Sequence, residues 1–460
     1  MTCTFVPPYL LARLASTGAD PTLAGAGRST LQVDARLRDQ RAGAPRQPPA
    51  ARTTAVSSDP AERVIRTADH TEQLPGTVAR ADGSPPTGDV AVDEAYDSSA
   101  QVWDLFATEF NRPSADGTGS TLTVTVHYGQ DYDNAFWDGS QLVFGDGDGQ
   151  VFDRFTKPMD VMAHEFAHGV TQYTAGLTYE GQSGALNESV SDVFASMTKQ
   201  RALGQDAVSA DWLIGEGIFL PGINAKALRS MTEPGTAYDD PRLGRDPQVG
   251  SMADYVTTTE DNGGVHLNSG IPNRAFALAA IAVGGLSWER TGKVWYDALT
   301  GGEVGADVDF AGFAAATVGS ATRLFPDDSA VAGHVRAAWQ QVGVIATDVA
   351  GTPAPTTPPV DVAPAEQARR LAVRRTGGFA GATRRGELDL DDDPRGPQLR
   401  QLLQRADLTT LSPGAASPDR FVYTVALDAW QLTLPEQDLT PELHEVVRIV
   451  LDDAGGVDLG

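Results

Sequence analysis

Cysteine is almost missing from this chain: Cys3 is the one example in 460 residues. Disulfides therefore cannot hold the fold, and cysteine content gives no sign of an oxidising compartment. No stretch approaches the ~18 to 20 apolar residues needed to cross a bilayer, so a membrane-spanning helix is not expected. Positive charge is scarce as well. Lys and Arg number 35 against 61 Asp and Glu, a net charge of −26. Nucleic acid and anionic membranes are therefore not expected as partners, and the plain consequence of such a charge is solubility. The first ten residues have neither a basic start nor an uninterrupted apolar core, so no secretory signal is expected there. At this length, two or three domains are expected.

Histidine is also rare, with seven in the chain, yet two of them fall in Val161-Met162-Ala163-His164-Glu165-Phe166-Ala167-His168, an H-E-x-x-H. Positions i and i+4 share a helix face, so His164 and His168 can point two imidazoles at one ion, with Glu165 beside them in reach of a water. Catalytic zinc takes three protein ligands and keeps one position open. The third ligand is expected at Glu188. Glu188 and Asp192 are again i and i+4, so one can bind metal while the other accepts the free N–H of a ligand histidine. A third histidine would belong at position 174, which is Thr174.

The remaining chain reads in order as follows. Short helices are expected around Tyr9–Ala15 and Thr30–Gln40, then an exposed Pro/Ala/Arg/Ser segment over 41–60. Val90–Phe110 has helical periodicity, with Val92, Tyr96, Val102, Trp103 and Phe106 as its apolar stripe. Thr121–Tyr128 alternates and is β-branched, which predicts a strand. Gly145–Gly149 predicts a tight turn between strands rather than a calcium loop. Ala-rich helices are expected over Pro272–Val283 and Phe310–Leu324. After a Pro/Thr/Ala linker, 349–366, a small ββαββα domain is expected: strands Leu371–Arg375 and Gly386–Leu390 around a Thr376–Gly381 turn, helix Gln398–Ala406, strands Phe421–Leu427 and Trp430–Leu434, and helix Pro441–Leu451. It contains no plausible catalytic cluster, and His444 stands alone on a helix.

H-E-F-A-H, N-E-S-V-S-D (187–192) and D-N-G-G-V-H-L-N-S-G (261–270) resemble the three signatures of thermolysin-like zinc metalloproteases, from about Asp89 to about Val344. Val6-Pro7-Pro8-Tyr9-Leu10 resembles the short propeptide of the protealysin branch. Arg374–Gly381 and Phe421–Thr424 resemble emfourin, a protein inhibitor of protealysin-like proteases. The resemblance implies an α+β fold: a two-lobed catalytic domain, β-rich at its N-terminal side and helical at its C-terminal side with the zinc helix between, plus a small α+β domain. It implies a propeptide and cleavable linker at 1–52, a catalytic domain at 53–348, the linker, and an emfourin-like domain at 367–456.

The same resemblance assigns roles. His164, His168 and Glu188 would hold one zinc, Glu165 would act as general base, and Asp192 would orient a ligand histidine. His266 and Tyr179 would stabilise the oxyanion, with Asp261 holding the His266 ring. Asn134 and Ala135 would hydrogen-bond an extended substrate, and Arg229 would bind its carbonyl. Phe152, Phe155, Val161 and Leu228 would line the pocket for the residue after the scissile bond, predicting cleavage before bulky hydrophobic residues. Asp160, Asp211 and Glu216 keep part of the family's main calcium cluster, but Lys199 and Leu213 replace carboxylates there and Lys226 falls where a separate site needs an Asp, so at most one calcium, weakly held, is expected. Cys3 is either a buried thiol or a fourth zinc ligand in the precursor.

The expected activity is that of a zinc endopeptidase acting on proteins or peptides, with possible intramolecular regulation by the C-terminal domain at its cleft. Two other readings stand beside it: a protease-binding protein whose C-terminal domain carries the main role, and a silent zinc scaffold, against which Glu165, Tyr179 and His266 weigh. Secretion is expected by family analogy, with cytoplasmic residence as the alternative.

Overall fold

The computed structural model describes residues 3–16, 21–42, 62–346, 369–377, 384–406, 421–427, 430–436 and 439–452. They belong to two compact units, Met1–Asp348 and Val349–Gly460. The 41–60 segment beyond residue 42, the 349–366 linker and most of the Thr376–Gly381 turn lie outside the described residues.

The first unit opens with β1 (Cys3–Thr4), α1 (Pro8–Ala15) and α2 (Pro21–Ala42). Both helices begin on proline, whose fixed φ and missing N–H suit a first turn. That start carries α2 nine residues upstream of the expected Thr30. Next come β2 (Arg63–Thr67), β3 (Thr77–Ala81), α3 (Val90–Phe110), β4 (Leu122–Val126), β5 (Ala135–Trp137) and β6 (Leu142–Phe144). One sheet orders these strands β1-β5-β6-β4-β2-β3. The strand β4 sits inside it, and even its polar Thr125 is buried. The Thr125 hydroxyl is satisfied by Pro75 O at 3.0 Å and Gln141 Oε1 at 2.8 Å, as burial of a hydroxyl requires.

Asp89 caps α3 through Ala91 N and Val92 N, and Asn111 ends it in the left-handed conformation, φ 50°. Val92, Val102 and Phe106 are buried, whereas Tyr96 and Trp103 are half-buried at the edge of the stripe. Tyr96 lies under the guanidinium of Arg80, 3.6 Å from its ring centroid. The Gly145–Gly149 run differs from the expected turn between strands. It leads out of the sheet, and the Asp148 carboxylate ties it down by accepting from Gln150 N, Val151 N and Phe152 N.

Two long helices follow, α4 (Met159–Gln172) and α5 (Gly181–Leu203), buried along most of their length and packed on each other. Short strand pairs β7 (Leu213–Ile214) with β8 (Arg229–Ser230) and β9 (Asp239–Asp240) with β10 (Gly244–Arg245) lead into helices. These are α6 (Asp261–Asn268), α7 (Gly270–Val283), α8 (Thr291–Thr300), α9 (Phe310–Leu324) and α10 (Ser329–Gln341). Trp295 and Trp339 stack at 6.0 Å in their core, with Phe276 and Phe313 edge-on. Each such ring buries on the order of 200 Å², an upper figure of about 5 kcal/mol from area.

The second unit is an antiparallel sheet ordered β12-β11-β13-β14 with two helices: β11 (Arg370–Gly377), β12 (Arg384–Asp389), α11 (Gly396–Arg405), β13 (Phe421–Leu427), β14 (Trp430–Pro435) and α12 (Pro441–Asp452). Its core takes alternate strand residues, Leu371 and Val373, then Tyr423, Val425 and Leu427, against Leu399, Leu403, Leu443 and Val446. That alternation is the pleat with one face inward. His444 is exposed, and no metal-binding group occurs among the described residues of this unit.

Candidate active site

Packing of α4 on α5 brings His164, His168 and Glu188 together, all buried, with ligand atoms within 4.8 Å of one another. His164 Nδ1 donates to Asp192 Oδ1 at 2.8 Å. His168 Nδ1 donates to Asn187 Oδ1 at 2.9 Å and lies 3.1 Å from Ser191 Oγ. With both Nδ1 protons so placed, the two Nε2 atoms turn lone pairs towards each other across 3.0 Å. Glu188 closes the triangle at 3.4 Å and 3.6 Å, and its Oε2 has no hydrogen-bond partner. Three converging electron-rich groups require a cation. Two imidazoles and a carboxylate are the donor set of a catalytic zinc site, so the residues present fit that ion.

Charge balance leads to the same conclusion. Burial lowers His164, but its bonds to Asp192 and Glu188 outweigh it and raise the ring to about 9. Burial and the neighbouring charge of His164 push His168 down to about 3. Burial works upward on Glu188, yet the charge of His266 and the contact with His164 hold it well below the carboxylate range. His168 is thus kept neutral and Glu188 ionised, the forms in which each can bind a metal.

Glu165 is buried beside the trio, and neither of its carboxylate oxygens has a hydrogen-bond partner. Burial pushes its carboxyl up to about 8, with the charge of Glu188 adding to the effect. Asp192 is tied on three sides, accepting from His164, from Arg229 Nε and Nη2 at 2.8 and 2.7 Å, and from Asn273 Nδ2 at 2.8 Å.

The residues from the third sequence signature join from α6. Asp261, Asn262, Gly263 and Gly264 all have positive φ, a left-handed run that two glycines make accessible. It curls the chain so that Asp261 accepts from both His266 N at 2.9 Å and His266 Nδ1 at 2.7 Å. Burial lowers the His266 ring, but Asp261 and Glu188 raise it to about 9. Tyr179 donates its hydroxyl to Glu188 Oε1 and lies 3.4 Å from His266 Nε2.

The chain's own N-terminal segment occupies this cleft. Its β1 adds to the edge strand β5 with Cys3 opposite Trp137 and Thr4 opposite Phe136. Asn134 clasps Val6, accepting from its N–H at 2.8 Å and donating to its carbonyl at 3.2 Å, while Phe5 N donates to Ala135 O at 3.1 Å. His266 Nε2 donates to Thr4 O at 3.0 Å and Arg229 Nη1 to Phe5 O at 3.0 Å. The Phe5 ring stands edge-on to His164 at 5.1 Å. The Cys3 side chain lies outside the described set.

Leu228 borders Phe5 through Gly215, where an added Cβ would fall 3.1 Å from Leu228 and 3.2 Å from the Phe5 ring. Val161 is buried on α4. Phe152 and Phe155 pack on each other at 5.7 Å, and Phe152 also on Phe219. Around Asp160, Asp211 and Glu216, the position of a cation is taken by Lys199, whose Nζ lies 3.0 Å from Asp211 and 2.8 Å from Glu216. Asn187, Ser191, Asn273, Gly215 and the cleft-filling Thr4 and Phe5 are absent from the residues chosen on sequence. Asn187 and Ser191 did carry a signal: they are i and i+4 on α5, one position before Glu188 and Asp192.

Comparison with known proteins agrees with this geometry. The thermolysin metallopeptidase catalytic domain matches residues 58–172, the thermolysin metallopeptidase alpha-helical domain residues 175–344, and emfourin residues 373–451. An extracellular metalloprotease of Pectobacterium carotovorum subsp. carotovorum is 50% identical over 342 residues, 74% of this chain and 96% of that protein. Protease PrtS of a Photorhabdus strain is 48% identical over 291 residues, 63% of this chain and 78% of that protein. The solved precursor of protealysin, a metalloproteinase from Serratia proteamaculans, superposes with a TM-score of 0.68 at 50% identity, covering 75% of this chain and all of that one. The chain therefore belongs to the thermolysin family of metallopeptidases, and it carries an emfourin domain as well.

Proposed function

We propose that this chain is the precursor of a zinc endopeptidase that cleaves before bulky hydrophobic residues, and that its N-terminal segment holds the cleft until removed. The observation that carries this reading is the seating of Thr4–Phe5. An extended backbone pairs with an edge strand, its carbonyls meet His266 and Arg229, and an aromatic side chain fills the space beside Leu228 and Gly215. Strand addition grips any peptide by its main chain and leaves selection to the pocket. We assign 1–52 to the propeptide and its linker, 53–348 to catalysis, 349–366 to a second linker and 367–456 to the emfourin-like domain.

Bound by His164, His168 and Glu188, zinc would supply a Lewis acid that acidifies a water and polarises the scissile carbonyl. Glu165 takes the water's proton as the oxygen attacks and passes it to the leaving nitrogen; a raised pKa suits both halves of that task. Charged His266 and the Tyr179 hydroxyl donate to the oxygen as it gains charge, and Asp261 keeps the His266 ring aimed. Arg229, anchored by Asp192, holds the carbonyl on the leaving side, and Asn134 and Ala135 hold the chain extended. Phe152, Phe155, Val161 and Leu228 make the pocket apolar. Lys199 serves as a built-in cation, so the enzyme binds at most one calcium at Asp160, Asp211 and Glu216.

Secretion is the proposed destination, on the precedent of the Pectobacterium relative named as extracellular; activity confined to cell lysate would overturn it. The emfourin domain is proposed to restrain the protease to which it is tethered, since a linker supplies a high effective concentration.

The test is hydrolysis of a quenched peptide with a central Gly-Leu bond after N-terminal processing. The full chain is compared with one stopped at Ala350, each with zinc and with a chelator. Chelator-sensitive cleavage supports the endopeptidase, and greater activity of the shortened chain supports restraint by the emfourin domain. Equal activity of the two sinks the restraint, and no cleavage by either sinks the endopeptidase.

A further inference from the structure

The sheet of the first unit gathers a second set of metal-binding side chains, none of which takes part in the cleft. Strands β2, β4 and β6 are neighbours and run parallel. Their carboxyl ends therefore lie side by side, the place where parallel sheets commonly bind ligands. Past the end of β2 comes His70, directly after β4 comes His127, and just after β6 comes Asp146. A backbone bond from His70 N to His127 O, 2.9 Å, ties the first two together. His127 Nδ1 lies 2.8 and 2.9 Å from the two oxygens of Asp146, and His70 Nδ1 lies 3.3 Å from Asp146 Oδ2. The other nitrogen of His127, Nε2, is 3.1 Å from Asp89, the residue that caps α3.

We propose that His70, His127 and Asp146 form a second site for a divalent transition metal of the zinc class. Two imidazole nitrogens and a carboxylate oxygen are the same donors that α4 and α5 assemble, and they favour zinc over calcium or magnesium. The 3.3 Å between His70 Nδ1 and Asp146 matches the edge of a tetrahedron with bonds of about 2.0 Å. The closer His127–Asp146 pair has to open by about 0.5 Å to reach that edge. Asp89 on the far nitrogen fixes the His127 tautomer that leaves Nδ1 for the metal, the carboxylate–histidine–metal arrangement. The His70 side chain is 52% exposed and that of Asp146 28%, so water can complete the coordination.

The competing explanation is a proton alone, with charged His127 bridging Asp146 and Asp89. That arrangement is complete without His70. His70 lies in the left-handed region at φ 58°, as do Asp69 at φ 50° and His127 at φ 54°, a region where histidine and aspartate are enriched among non-glycine residues. Its ring sits 5.2 Å from that of His127 with Nδ1 towards the shared carboxylate. As a metal ligand or as a proton donor His70 reaches the same carboxylate, and an ion count separates the two. The bound ion would pin three strand ends together and stabilise the sheet by mass action.

The experiment uses the full chain with Glu165→Gln, to prevent self-digestion. The protein is stripped with chelator, then dialysed against zinc or cobalt, and the ions per chain are counted. Adding His70→Ala should lower the count by one, and Asp146→Asn should do the same. In a His164→Ala background, zinc should raise the melting temperature, and the further change His70→Ala should abolish that rise. Because His70 is half-exposed, its replacement leaves the core untouched, and circular dichroism checks this. An ion count unchanged by both His70→Ala and Asp146→Asn overturns the proposal.

Discussion

Arg229 reaches past Asp192 to the backbone of Phe5, donating from Nη1 to its carbonyl at 3.0 Å while Nε and Nη2 grip the Asp192 carboxylate. Asp192 in turn holds His164. A single buried chain of charge-assisted bonds therefore runs from a histidine of the candidate metal site to the segment in the cleft.

Weakening that segment should hasten activation. Phe5→Ala removes a fully buried ring, and such truncations cost about 3 to 5 kcal/mol. Activity should appear at least tenfold faster in a fresh precursor preparation, followed with a quenched peptide. A rate equal to or below that of the parent would mean that the segment does not restrain the site.

Asn187→Ala should leave the fold intact and loosen the metal. Asn187 Oδ1 is the acceptor that sets the His168 tautomer, and loss of such a partner typically costs ~10- to 100-fold in metal affinity. Competition with a zinc-chelating dye would measure it. An unchanged affinity would leave Ser191, 3.1 Å from the same nitrogen, as the group that matters.

Lys199→Met should destabilise the first unit by about 2 to 3 kcal/mol, since it strands Asp160 and two partners of the ammonium. Asp160 is buried, whereas Asp211 and Glu216 are partly solvated, which keeps the cost below that of a fully buried pair. Urea unfolding gives the figure, and millimolar calcium should restore part of it. A neutral substitution would show that the cluster does not need its cation.

Asp116 supplies a pH test away from the metal site. Burial works upward on its carboxyl, but bonds from Ser114, Ser120 and Thr118 pull it down to about 2. A carboxylate lowered on folding stabilises the protein above its unfolded pKa of about 4 and loses that contribution as pH falls through its folded value. Asp116→Asn should therefore cost about 1 kcal/mol or less near pH 6, after solvent screening, and the difference from the parent should vanish below pH 2. Melting curves across that window decide it; a gap that persists in strong acid would point to packing instead.

What the sequence determined by itself is local. His164 with His168, Glu188 with Asp192, and the overlooked Asn187 with Ser191 are each four apart, so helix geometry alone puts each pair on one face. The Asp261–His266 contact needs only the left-handed run that Gly263 and Gly264 permit. The strand alternation of Leu371 and Val373, and of Tyr423 and Val425, likewise settles which side faces the small domain's core.

Tertiary structure decided everything that joins distant segments. Packing of α4 on α5 turns two histidines and a carboxylate into one converging site. Pairing of β1 with β5 lays Thr4 and Phe5 across it, and no periodicity in either stretch announces that partner. Lys199 could be read as a replacement for a carboxylate, but its place among Asp211 and Glu216 depends on where the chain folds after α5. His70, His127 and Asp146 meet because three parallel strands end side by side. Parallel pairing joins segments through long crossovers, so residues far apart in sequence become neighbours with no local pattern to mark them.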